Sequence, residues 1–97
     1  MAERINLSYI SGLILQAIAA GQSYGFDIID LTGLPSGTVY PALRRLESAG
    51  LIVSVWDHKN AEKSGGPPRK YYRLTRMGRE HLDKLRARYP LLEKVAE

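Results

Sequence analysis

Eight cations fall within one short stretch of the chain. Arg69, Lys70, Arg73, Arg76, Arg79, Lys84, Arg86 and Arg88 stand against only Glu80 and Asp83, a local net charge of +6. Residues 1 to 43 carry Arg4 against Glu3, Asp27 and Asp30, a net of −2. Guanidinium and ammonium groups concentrated this way suit a polyanion-binding surface. The plainer reading is a solvated helix face with no partner. A second group, Ser36, Thr38, Tyr40, Arg44 and Arg45, combines hydroxyls with guanidinium groups and could form directional hydrogen bonds. Residues suited to catalysis do not assemble. His58 and His81 fall on different segments and the chain has no Cys, so no metal site is expected. Asp27 and Asp30 share a helical face at i, i+3, where a pair of acids is usually just solvated. Gly65-Gly66-Pro67-Pro68 leads toward a strand and not into a helix, so it is no phosphate cradle. Neither catalysis nor a cofactor is expected.

The whole chain has 97 residues, with 14 Lys and Arg against 10 Asp and Glu, a net charge of +4. That length fits one compact unit, and a small core gains from self-association. An apolar fraction of 44% and a charged fraction of 25% are ordinary for a folded domain. The absence of Cys excludes disulfides and thiolate chemistry. No long apolar stretch suggests a leader or a membrane span, so a cytoplasmic location is expected.

Hydrophobic spacing sets out the elements that must position these groups. Ile10, Leu13, Ile14, Ala17 and Ile18 repeat at i, i+3, i+4, i+7 and i+8, predicting a helix over 8–20 with Ser8 as N-cap and Gly21 as a left-handed stop. Ser23 caps a predicted shorter helix from Tyr24 to Leu31, in which Gly25 costs about 0.5–1 kcal/mol relative to Ala. Thr32 to Pro35 form a break. A third helix from Ser36 to Ala49 has Val39, Leu43 and Leu46 as its seam, with Pro41 early enough to be tolerated. Two short helices about a Gly-containing turn form a helix-turn-helix pattern. The period then changes. Leu51 to Trp56 read as a strand, Asp57 to Pro68 as a polar Gly/Pro-rich loop, and Lys70 to Leu74 as a return strand with Tyr71 and Tyr72 on opposite faces. In this position the hairpin is a wing. Thr75 caps a last helix bearing Gly78, Leu82, Leu85 and Tyr89 at i, i+4, i+7 and i+11, and Pro90 ends it near Arg88. Leu91 to Glu97 either add a turn or fray.

The run from Leu34 through Pro35-Ser36-Gly37-Thr38-Val39-Tyr40-Pro41-Ala42-Leu43-Arg44-Arg45-Leu46 to Glu47 resembles the recognition-helix motif of PadR transcriptional regulators. The likeness continues through Ser48 to Ile52 and from Gly65 to Thr75, while Tyr24-Gly25-Phe26-Asp27-Ile28 looks like the family's second-helix signature. Together these cover about residues 10 to 88 in order. The resemblance implies an α+β, mainly α, winged helix-turn-helix fold with a two-stranded wing. It also implies sequence-specific binding to double-stranded DNA, usually repression, and a homodimer formed through the C-terminal helix. Members often respond to small aromatic effectors. A natural division is residues 1–75 for DNA binding and 76–97 for dimerisation. Two departures stand out. The segment before the third helix is shorter than in many members, and Pro67 sits where the wing motif often has Arg. The C-terminal region is brief, so no large effector domain is expected.

On this reading Ser36, Thr38, Tyr40 and Arg44 lie at or near the face that enters the major groove, and Arg45 holds phosphate or is solvated. Tyr40 has the alternative of packing on a neighbouring helix. Lys59, Lys63, Arg69 and Lys70 reach phosphates or the minor groove from the wing, or the first two simply decorate a charged loop. Trp56 reads as a core or interface anchor more readily than as a ligand platform. Leu82, Leu85 and Tyr89 are either core or dimer seam. The seam is favoured on the argument that the hairpin and three helices fill a core without them. Ile10 and Leu13 join that seam, whose apolar walls would also receive an effector. Two other functions stay open: a winged-helix protein-interaction module and a non-specific architectural DNA binder.

Overall fold

A computed structural model describes residues 2–59, 63 and 65–94, with side chains from residue 9 onward. The helices are α1 (Ala2–Ala19), α2 (Gly25–Thr32) and α3 (Ser36–Ser48), and the strands β1 (Ile52–Asp57) and β2 (Arg69–Leu74) follow. A last helix, α4 (Arg76–Arg88), leads into a 3-10 helix, Pro90–Lys94. The architecture is the expected mainly helical fold with a two-stranded antiparallel sheet.

Helix α1 runs back to Ala2, so Ser8 lies inside it and is not its N-cap. Good helix formers such as Ala2, Glu3, Arg4 and Leu7 continue the helix past the local stop signal. Its C-terminus follows the prediction. Gly21 has φ 99°, and the amides of Gly21 and Gln22 donate to the carbonyls of Ile18 and Ala17, closing the end of the helix. Helix α2 starts one residue later than predicted, with Tyr24 at the N-cap and no side-chain cap. Ser23 serves elsewhere: its carbonyl accepts a 2.7 Å hydrogen bond from the amide of Tyr72. Helix α3 keeps its predicted start and buries Val39, Ala42, Leu43 and Leu46. Thr75 caps α4, accepting from the amide of Gly78 at 3.0 Å while its hydroxyl donates to the carbonyl of Gly50 at 2.6 Å.

The strands pair from Ile52↔Leu74 to Asp57↔Arg69. Ile52 and Tyr72 are buried and Tyr71 is half-buried, so the two tyrosines do point to opposite faces. Helix α1 lies centrally, packed against α2, α3, β2, α4 and the 3-10 helix. Ile14, Leu15, Ala17, Ile28, Val39, Leu43 and Ile52 form the core around it.

That same core includes Leu82, Leu85 and Leu92. The dimer-seam expectation therefore does not hold for Leu82 and Leu85, which are 2% and 7% exposed within a single chain. The hairpin and three helices leave one side of α1 uncovered, and α4 with the 3-10 helix closes it. A part-buried hydrogen bond from Arg86 Nε to Gln16 Oε1, at 2.8 Å, ties the two helices together. The boundary drawn at Thr75 does not separate two cores. Ile10, Leu13 and Tyr89 are only half-buried, at the edge of this packing. Residues 95–97, for which a further turn was one expectation, lie outside the described residues.

Candidate nucleic-acid interface

Helix α3 carries its functional groups on the side turned away from Val39, Leu43 and Leu46. At 100° per residue the centre of that outward side runs through Gly37, Pro41, Arg44 and Ser48. Arg44, Arg45, Ser36 and Ser48 are exposed, while Thr38 sits half-buried at the margin. Tyr40 takes up the packing alternative and is still not buried. Its ring lies so close over Gly25 that a Cβ there would come within 2.7 Å of Tyr40 Cε1, yet the side chain remains 42% exposed. The lack of a side chain at Gly25, a cost to α2 in isolation, is what lets α2 and α3 meet through this ring.

The wing is pinned to the start of α2 through the outer half of its ladder. Tyr24 bridges to Tyr71 in the sheet direction, and their rings meet edge to face at 6.1 Å. The Tyr24 hydroxyl donates to the Asp57 carboxylate, and the Arg69 guanidinium stands 4.9 Å above the Tyr24 ring. Lys70 Nζ lies 5.2 Å from the centroid of the Trp56 ring, its cross-strand partner. The two cations at the start of β2 are thus oriented by aromatic faces. Lys59 and Lys63 are exposed in the connection between the strands, of which residues 60–62 and 64 lie outside the described residues.

Between α3 and the wing runs an open groove of about 430 Å³. Phe26, Tyr40 and Trp56 supply aromatic walls, and Arg44, Arg69 and Lys70 supply positive charge. Trp56 is 54% exposed, which removes the core half of its core-or-interface reading: β1 has left the core by this point, and the side chain flanks the groove. Buried Tyr72 also lines the groove. Burial first and the charge of Glu47 second push its hydroxyl above the usual tyrosine range, against the opposing pull of Arg44.

The structure brings Tyr40, Arg44, Arg69 and Lys70 around this one groove, with Arg45 on the adjoining side of α3. It does not bring Arg73 there: Arg73 lines a separate cleft with Ile18, Ser23 and Arg79. Five of the eight clustered cations lie on α4, where Arg76 pairs with Glu80 and Arg86 with Asp83, each at 3.6 Å. Much of the +6 thus sits away from α3 and the wing, and exposed pairs of this kind add little stability. Sequence reasoning missed Phe26 and the wing clamp at Tyr24. The signal for both was the Tyr24-Gly25-Phe26 run, which periodicity alone reads only as a weak helix start. Among the described residues no group of acids and histidines could hold a metal ion, and no helix is long and apolar enough to cross a membrane.

Residues 14–84 match the family model described as the transcriptional regulator PadR-like family. The chain belongs to the PadR-like family. Its fold agrees with solved members. A PadR family transcription regulator from Clostridium difficile is 36% identical with a TM-score of 0.74, over 90% of this chain and 93% of that one. A PadR-like transcription factor from Bacteroides fragilis is 30% identical with a TM-score of 0.77, over 96% and 91%. A PadR-like transcriptional regulator from Bacillus cereus is 27% identical with a TM-score of 0.68, over 88% and 84%. Among curated proteins no match was found. Membership makes this chain a DNA-binding transcriptional regulator with a winged helix-turn-helix fold, and not an enzyme. Within that PadR-like fold, the β1–β2 hairpin is the wing.

Proposed function

We propose that two copies of this chain repress transcription by binding a near-palindromic operator, each placing α3 in a major groove. Arg44 reads a base edge, with Ser36, Thr38 and Tyr40 around it. Arg45, Arg69, Lys70, Lys59 and Lys63 hold the flanking phosphates or minor groove. One observation carries the reading: the exposed side of α3 and the aligned wing cations Arg69 and Lys70 bound the same groove. That spacing suits a phosphate backbone running between a recognition helix and its wing.

Self-association draws on what a single chain leaves uncovered beside α4. Tyr9 and Tyr89 meet edge to face at 5.4 Å, and Leu91 in the adjoining 3-10 helix is 68% exposed. With half-buried Ile10 and Leu13, they offer an apolar edge to a second copy. A two-fold dimer sets its recognition helices about 34 Å apart, one turn of DNA. The reading includes a small aromatic effector, seated in the groove beside α3 and not on the expected seam walls Ile10, Leu13, Leu85 and Tyr89, because Leu85 is already buried within one chain. The groove walls Phe26, Tyr40 and Trp56 support that part, because a flat ring seated there competes directly with DNA.

Selection of duplexes from a random pool at near-physiological salt tests the proposal. The expected product is a site with two inverted half-sites about one turn apart. Retention of duplexes without any sequence preference would make the chain an architectural binder. Phenolic acids titrated onto the complex should release DNA and quench Trp56, and an unchanged complex at millimolar concentration removes this ligand class.

A further inference from the structure

The outward line of α3 is bare at its N-terminal half, where a recognition helix is expected to carry its longest contacts. Gly37 and Pro41 occupy the first two positions of that line, ahead of Arg44 and Ser48. These are the two residue types least suited to a helix. For seven other glycines the fold supplies a reason. Gly21, Gly33, Gly50 and Gly65 have positive φ, and a Cβ at Gly12, Gly25 or Gly78 would strike Leu92, Tyr40 or the carbonyl of Leu51. Gly37 has neither reason: its φ is helical, and a Cβ built on it meets nothing within 4 Å. The fold bears the cost of a glycine on a helix and gains no packing from it.

We propose that Gly37 is the point where α3 comes closest to DNA, with DNA atoms occupying the space of the missing side chain. The inference rests on the DNA-binding reading and adds a residue that sets the depth of the helix in the groove. A major groove about 12 Å wide admits a helix with little to spare, so the lateral position of α3 is sensitive to a single added side chain. Pro41, one turn further on and half-buried, continues the same low ridge and brings Arg44 to the base edges at a shallow angle. A glycine that the fold itself does not require is thus explained by the partner.

Gly37→Ala and Gly37→Leu, measured on the full chain with the duplex recovered by random-pool selection, test this. Because the site is open and helical, Gly37→Ala should keep or raise the melting temperature, with a gain of about twofold to fivefold in the folding equilibrium constant. Its affinity for the duplex should fall about tenfold or more, and that of Gly37→Leu further. The slope of log affinity against log salt should stay unchanged, because no charge is lost. Variants that bind within about twofold of wild type overturn the role of Gly37, as does a melting temperature below wild type for Gly37→Ala. A wild-type chain that retains no duplex overturns the DNA-binding reading itself, and this inference with it.

Discussion

Arg44 and Lys70 carry the same charge but should fail in different ways when removed. Arg44 is exposed on the central outward line of α3, and a bidentate contact to guanine discriminates by roughly 1–3 kcal/mol. Arg44→Ala should therefore relax preference at one position of each half-site, measured across a library of single-base variants. A uniform loss at every position would reassign it to phosphate. Lys70, braced over Trp56 on the wing, would on the proposed reading meet DNA as a point charge. Lys70→Ala should weaken all sequences equally and make the salt slope shallower by about one. Tyr72 acts on folding. Its hydroxyl is held above the ordinary range chiefly by burial, so the fold favours the neutral form. The resulting stability is present at neutral pH and is lost as pH rises past the unfolded value of about 10 and through the raised folded one. Denaturant midpoints taken from about pH 8 to 11 should fall more steeply for wild type than for Tyr72→Phe. Parallel curves would show that Tyr72 does not contribute.

At the scale of elements, α4 meets the residue ahead of β1 with no room for a side chain at Gly78. A Cβ on Gly78 would lie 1.9 Å from the backbone carbonyl oxygen of Leu51, an overlap that no rotamer change can relieve. Gly78→Ala must push α4 off the start of β1 and should cost roughly 1–3 kcal/mol or more. Thr75→Ala removes both the cap on Gly78 and the bond to Gly50, with an expected loss of about 1–2 kcal/mol. Thermal denaturation measures both. Equal and small effects would mean that α4 docks without this joint.

At the scale of the whole molecule, α4 completes the monomer before it can serve a dimer. Leu82, Leu85 and Leu92 cover α1, and Arg86 satisfies the buried amide of Gln16. Truncation before Arg76 would strip that cover from Ile14, Leu15 and Ala17. The truncated chain should show little helical signal by circular dichroism, whereas a folded monomer would restore the view of α4 as an appended arm. The full-length chain should sediment as a dimer at micromolar concentration. Substituting exposed Leu91 by Glu should yield a folded monomer with weaker operator binding.

The sequence by itself determined the order of elements, the stops at Gly21 and Gly50, the Thr75 cap, the α3 seam and the family. Each is a local signal: a period, a left-handed glycine, a hydroxyl three residues ahead of a free amide, or a contiguous motif. The element ends that it misplaced, at Ser8 and Ser23, are places where a cap residue was present but neighbouring helix formers or a strand amide claimed the backbone. Tertiary structure alone decided what each apolar face meets. The stripe of Leu82 and Leu85 shows that α4 is covered on one side, and a stripe looks the same whether its cover is the chain's own α1 or a second copy. Likewise nothing near Trp56 in sequence says where β1 leaves the core, nor that Phe26 and Tyr40, fourteen residues apart, share a groove with it. Burial is set by contacts between distant segments, and those exist only once the helices have packed.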